Sequence, residues 1–399
     1  MPTPSLDMGE YNSGQRLLVR YSPRATGADA DSVPEADLEL EIIHAYQPFS
    51  LSVICKVVIH PIAPTSSLPP GLPSTCIMKL FDRRYEHNTR NYYGEAAHQR
   101  YLAETTREKP RSIWITRRAR KRDGEYEAKI EEGCRRMMRN EMRAYEEMRE
   151  LQGTHIPSLY GTIRYTSPVP PPSDTGELSD YRYTAHGRIL EHIPSSTLRR
   201  YLEAAMRNEP PLYDNIRLVC DQAMALVHQI DGLNVLNRDA RLENVLVSAV
   251  SKDDSKTFYS SPFPLQPHTA FRCTAIDFAC TRLRYHDETD EEWRRAKEKL
   301  DEEGAIGCVI RVTLRNEGKL RDDPVDGERI WTYVPSRRWH QTLSKEEYEV
   351  YCEDDEWGLY AGKLAEEDRS VGGDASDESD EMDEGGREGG ETLEARTKA

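Results

Sequence analysis

The chain of 399 residues predicts an α+β protein in which a small antiparallel sheet comes first and a helix-rich stretch follows. Two observations carry this. Apolar runs of strand length, punctuated by Pro, Gly and Ser, crowd the region from Leu38 to Phe81. Apolar residues at helical spacing dominate Glu125–Leu151 and Tyr213–Ile230 instead.

Taken in order, residues 1–37 are rich in Pro, Ser, Asp and Gly with no apolar periodicity, and are expected to be disordered. Strand text follows in Leu38–Ala45, Leu51–Ile62 and Ser74–Phe81, the last two separated by the loop A-P-T-S-S-L-P-P-G-L-P. Residues 83–140 are a charged insertion with a basic run, Thr116–Arg122 (T-R-R-A-R-K-R), which reads as a solvated face or as a nuclear-import or anion-binding patch. From Glu125 the text turns helical: Met137, Met138, Met142, Tyr145 and Met148 fall on one stripe, and Gly153 suggests its cap.

Ile156–Tyr165 returns to strand, Ser167–Asp180 is a loop, and Gly187–Ile193 is a buried strand closed by Pro194-Ser195-Ser196 ahead of a helix over Thr197–Met206. In Tyr213–Ile230, Ile216, Val219, Cys220, Ala223, Leu226, Val227 and Ile230 make a single apolar stripe that ends at Gly232. Strands Asn244–Val247 and Ala270–Ile276 flank a Ser-rich loop. A charged helix near Glu291–Gly304, an apolar run Ala305–Val312 and the aromatic segments I-W-T-Y-V and E-E-Y-E-V-Y complete the ordered part.

Composition narrows the function classes. Hydrophobic residues are 37% and charged residues 31% of the chain, and no apolar run approaches the ~18 residues of a spanning helix, so no membrane partner is expected. The opening M-P-T-P-S-L-D-M-G-E-Y-N-S-G-Q-R has no apolar stretch, which predicts no secretory signal and a cytoplasmic or nuclear location. Eight cysteines are scattered without C-x-x-C spacing and read as reduced core residues. The net charge of −16 speaks against bulk nucleic-acid binding, but residues 366–399 hold 13 acidic against 4 basic side chains, so most of the excess sits on an acidic tail that cannot bury enough apolar surface to fold.

The chemistry concentrates in V-L-N-R-D-A-R-L-E-N-V-L-V, Val235 to Val247, and in A-I-D-F-A, Ala275 to Ala279. Asp239 and Asn244 stand on a loop entering an apolar strand, so one irregular turn can present an acceptor and an amide oxygen to the same cleft. Asp277 ends another apolar strand, where a half-buried carboxylate is costly unless it meets a cation.

These segments resemble the catalytic loop H-R-D-L-x-x-x-N and the D-F-G of the protein kinases, with Asn237 in place of the histidine and Ala279 in place of the glycine. The resemblance covers about Leu38 to Arg282. Within it, Lys79 in C-I-M-K-L resembles the lysine that holds the α- and β-phosphates, although a lysine there also reads as an edge-strand gatekeeper. Its glutamate partner falls on the Glu125–Leu151 helix: Glu141, with Glu146 and Glu147 as alternatives. The segment R-I-L-E-H-I-P-S-S-T-L resembles the strand joining two lobes, with Leu190 lining an adenine pocket and Glu191 and Ile193 offering backbone groups.

What the resemblance implies is a bilobal protein kinase-like α+β fold: a small antiparallel-sheet lobe with one main helix over residues 38–186, including the insertion 83–140, then a hinge and a shortened, mostly helical large lobe over 187–365. It implies ATP and Mg²⁺ as cofactors, Asn244 and Asp277 as metal ligands, Asp239 on the acceptor hydroxyl and Arg241 near the γ-phosphate. Two family features are missing: no glycine lies between Tyr46 and Val58, where a Gly-rich loop covers the phosphates, and nothing after Asp277 matches A-P-E. About twenty extra residues, Ser248 to Thr269, also separate the two motifs. Three readings therefore stand: a kinase of protein Ser/Thr, a pseudokinase that binds or scaffolds, and a kinase of a small hydroxylated molecule.

Overall fold

The computed structural model describes residues 11–24, 34–47, 49, 52–62, 68–82, 85, 115–168, 184–208, 211–250, 270–320 and 330–336, with backbone alone for 115–129, 131 and 319–320. The acidic tail, the segment E-E-Y-E-V-Y, most of the Ser248–Thr269 loop and the side chains of Thr116–Arg122 lie outside these residues.

Strands β1 (Arg16–Pro23), β2 (Ala36–Ala45), β3 (Val53–His60), β4 (Thr75–Phe81), β5 (Leu159–Thr166) and β6 (Thr184–Glu191) form a closed antiparallel barrel in the order β1-β2-β3-β4-β6-β5. This corrects the bilobal kinase-like expectation of a small antiparallel-sheet lobe with one main helix and a shortened, mostly helical large lobe, because the sheet closes into a barrel. The reason is β1. In R-L-L-V-R-Y, Leu17, Val19 and Tyr21 point inward while Arg16, Leu18 and Arg20 face solvent, a period of two inside a segment expected to be disordered. Its arginines reach across to β2, Arg16 to Glu39 and Glu41 and Arg20 to Asp37. Its other edge pairs with β5, Val19 opposite Tyr165, and removes the free edge an open sheet would have. Gly161 permits the closure, because a Cβ there would stand 2.5 Å from Ser22 O and 2.6 Å from the Tyr21 ring.

Leu40, Ile42, Val53, Val57, Leu80 and Ile189 fill the barrel. Tyr11, fully buried, packs edge-on against Phe49, Tyr85 and Tyr165 and donates a 2.7 Å hydrogen bond to Asp82. Between β4 and β5 runs a long helix, α1 (Ile115–Glu147), beginning ahead of the expected Glu125. Gly153, at φ 75°, turns the chain back towards β5 in a conformation that favours glycine.

The helical part follows: β7 (Ser196–Thr197), α2 (Leu198–Arg207), α3 (Tyr213–Asp231), β8 (Val235–Asn237), β9 (Val245–Val250), β10 (Ala270–Ala275), β11 (Thr281–Leu283), α4 (Asp290–Leu300) and α5 (Glu302–Leu320). All seven stripe residues of α3, Ile216 to Ile230, are buried. The expected single helix Glu291–Gly304 is two: a capping box of Thr289 and Glu292 opens α4, and Asp301, left-handed at φ 47°, ends it and accepts the Gly304 amide at 2.7 Å as α5 begins. Small sheets β10-β9-β7 and β11-β8 lie among these helices. No described helix is long and apolar enough to cross a membrane.

Candidate active site

Strand register builds one wall of the site. Lys79 pairs with Ile54 of β3 and with Arg188 of β6, and Ile77 pairs with Leu190, so these five side chains share a face. Ile54 and Ile77 are partly exposed there and Leu190 is buried, making an apolar strip that ends at Lys79. Helix α1 brings Glu141 to the same place. Lys79 Nζ is 2.9 Å from each Glu141 carboxylate oxygen, with hydrogen-bond alignment to Oε1. Glu146 and Glu147 face solvent, and Glu147 instead accepts from Asn234 at 3.1 Å.

The second wall comes from the segments after α3. Val245 pairs with Ala275, and the Ile276 amide donates to Asn244 O at 2.9 Å, which sets Asn244 beside Asp277. Asn244 Nδ2 donates to both the backbone oxygen and Oδ2 of Asp239, each at 2.9 Å, while Arg241 Nη2 stands 3.2 Å from the same Oδ2. Asp277 meets Lys79 at 2.7 Å although the two are 198 residues apart. Its φ of 63° is a left-handed conformation that a non-glycine residue holds only under surrounding constraint. That constraint is visible next door: Phe278 is fully buried edge-on to Tyr145, and its amide points at Glu141 Oε1 at 3.4 Å.

Burial by itself would lower the Lys79 pKa, but the Asp277 and Glu141 carboxylates outweigh it and hold the ammonium above its ordinary value. For Asp277 burial pushes up and Lys79 pulls down harder, leaving the carboxyl below the usual aspartate range. Asp239 goes the other way: burial raises it, and Arg241 only partly opposes. Three groups within one cleft are thus driven apart in proton affinity, a pattern common at functional sites.

The end of β6, expected to line an adenine pocket, is partly committed elsewhere. The Glu191 amide donates to Ser158 O at 2.9 Å, and its carboxylate accepts from Ser158 N and Oγ. Ile193 O accepts from Ser195 Oγ at 2.9 Å.

Sequence reasoning missed Arg188, Ile54 and Ile77. Arg188 is fully buried: Nη1 forms an ion pair with Glu141 Oε2 at 3.3 Å and Nη2 donates to Met138 O at 3.0 Å. Spacing held the signal for the isoleucines, since Ile77 precedes Lys79 by one strand repeat. An arginine inside G-R-I-L gave none, because charge in a strand normally means exposure.

Among the described residues no cluster of three or more His, Cys, Asp or Glu forms a ready metal cage. Mg²⁺ needs less when it arrives with a nucleotide: one or two carboxylates beside phosphate oxygens. Asp277 and Asn244 Oδ1 are hard oxygen donors of that kind, so the residues fit the ion.

No protein-family model matches the chain, and no curated protein matches it. Among solved structures it is similar to "WaaP in complex with acyl carrier protein", at 15% identity over 82% of this chain and 87% of that one, with a TM-score of 0.32. An overlap that loose transfers nothing about activity.

Proposed function

We propose that the protein is an ATP- and Mg²⁺-dependent phosphotransferase that moves the γ-phosphate to a hydroxyl, with protein Ser or Thr as the acceptor. The observation behind this reading is the convergence of Lys79, Glu141 and Asp277 within 2.9 Å, beside Asp239 bonded to Asn244. An ammonium held by a glutamate, two carboxylates and an amide at one cleft are the parts phosphoryl transfer uses.

Bound Mg-ATP supplies the transferable phosphoryl group and neutralises its charge. Lys79, oriented by Glu141, would bind the α- and β-phosphates, and Asn244 with Asp277 would hold the ion. Ile54, Ile77 and Leu190 offer an apolar strip to adenine, with Glu191 O and Ile193 N as polar contacts. Asp239 would orient the acceptor hydroxyl and take its proton as the bond from that oxygen to the γ-phosphorus forms and the bond from the γ-phosphorus to the β-phosphate oxygen breaks, ADP leaving, while Arg241 would stabilise the charge on the γ-phosphoryl group in transfer.

A nucleotide-binding module without turnover is the second reading, favoured by the glycine-free connection between β2 and β3. A thermal shift with Mg-ATP, followed by labelled phosphate transfer to protein and small hydroxylated acceptors, separates them. Binding lost in Asp277→Ala and transfer lost in Asp239→Asn support the enzyme. Binding with no transfer to any acceptor supports the module, and no binding at all defeats both.

A further inference from the structure

Behind Asp239 lies a buried ionic cluster that the proposed chemistry does not use. Lys297 of α4 is 1% exposed. Its Nζ is 3.0 Å from Asp231 Oδ1, at the end of α3, and 2.6 Å from Glu302 Oε2, at the start of α5. It also donates to Val235 O in β8. Three helix ends and a strand therefore meet at one ammonium, with the cation in a last turn and Glu302 in a first turn, as helix dipoles favour. Burying such a group adds little net stability over apolar packing, so what it contributes here is the geometry it fixes between α3, α4, α5 and β8.

The cluster continues into the catalytic turn. Glu302 Oε1 accepts the Asn237 amide at 2.6 Å, and Asn237 Oδ1 accepts the Asp239 amide at 3.0 Å. Asn237 thus closes a side-chain turn of the kind Asn makes two residues ahead. An unbroken line of hydrogen bonds runs from Lys297 through Glu302 and Asn237 to the residue that Asn244 grips.

We infer that Lys297, Glu302 and Asn237 are positioning residues that fix the Asn237–Asp239 turn and thereby aim the Asp239 carboxylate. The catalytic consequence rests on the phosphotransferase reading; the hold on the turn does not. The test measures hydrogen exchange and, in the full chain, steady-state kinetics for Lys297→Met, Asn237→Ala and Asn237→Asp. Exchange across 237–244 is expected to quicken by about tenfold in the first two variants, the effect of one lost hydrogen bond, and to stay slow in Asn237→Asp, which keeps the acceptor oxygen. Turnover is expected to fall by up to about 100-fold in the same two, with KM for Mg-ATP unchanged and Asn237→Asp close to the parent. If Lys297→Met does not fold, Lys297→Arg, which keeps the charge but moves its donors, replaces it.

Unchanged exchange over 237–244, or quickening shared equally with α3, overturns the inference, as does unaltered turnover in an active enzyme. A parent protein that transfers no phosphate defeats the phosphotransferase reading alone, and the exchange data then decide the positioning role.

Discussion

Arg188 Nη1 stands 3.3 Å from Glu141 Oε2, so the carboxylate that meets Lys79 is held by a second, fully buried cation. The same guanidinium donates to Met138 O and lies over the Phe81 ring at 5.2 Å. It ties helix α1 to the barrel at two points, one of them independent of Lys79.

Arg188→Met is therefore expected to destabilise the protein by about 3–5 kcal/mol, the usual cost of removing one partner from a buried pair. Urea denaturation measures it. Glu141→Gln in the Arg188→Met background should cost less than in the parent, since the two residues act as a unit. An unchanged midpoint in Arg188→Met would contradict the tether.

Gly187 of β6 pairs directly with Leu80 of β4. A Cβ there would stand 2.2 Å from Lys79 O and 2.9 Å from Leu80 Cα, both backbone atoms that cannot step aside. Gly187→Ala is expected to cost about 1–3 kcal/mol of stability and, because the displaced residue is Lys79, to weaken Mg-ATP binding in a titration. Gly133→Ala is the contrast. Nothing lies within 4 Å of a Cβ at that helical position, and the change should stabilise by about 0.5–1 kcal/mol.

What the sequence reveals and what it hides have separate physical causes. That Lys79, Asp239, Asn244 and Asp277 come together is legible only through the resemblance of their short motifs to a known pattern, and α3 is legible because a buried helix must repeat its apolar face. The barrel is not legible, since it closes through Val19 opposite Tyr165, a pairing that no local pattern encodes. The strand that closes it puts a leucine, Leu18, between Arg16 and Arg20 on its exposed face and is flanked by Pro, Gly and Asp, so composition masks its period. The break at Asp301 is hidden likewise, because a charged helix that stops and one that continues look the same until the backbone turns left-handed.

Removing residues 1–24 follows directly. If that segment were disordered the deletion would be harmless; as β1 and the Tyr11 plug, its loss leaves the edges of β2 and β5 unpaired. The truncated chain is expected to aggregate and to lose its cooperative melt. Tyr11→Ala, a milder version, should lower stability by about 3–5 kcal/mol through the lost ring contacts. A truncated protein that melts like the parent would contradict the closed barrel.

The opposed shifts of Asp239 and Asp277 predict that binding and turnover fail at different acidities. Asp277 lies below its ordinary 3.8, so it keeps its charge, and its place beside Lys79, as the pH falls through that value. Asp239 lies above 3.8, and it must be ionised to take a proton from the acceptor, so transfer should fade first on acidification. Over the window between the two, the Mg-ATP thermal shift should persist while phosphate transfer is already lost. Arg241 supplies the internal control. Its guanidinium is the main charge lowering the Asp239 pKa and a lesser one, after Lys79, for Asp277, so Arg241→Met must move the acidic limb of turnover to higher pH and the binding limb the same way by less. Rates measured across a buffer series for both proteins decide the assignment: an acidic limb that stays fixed in Arg241→Met would mean that the titrating group is not Asp239.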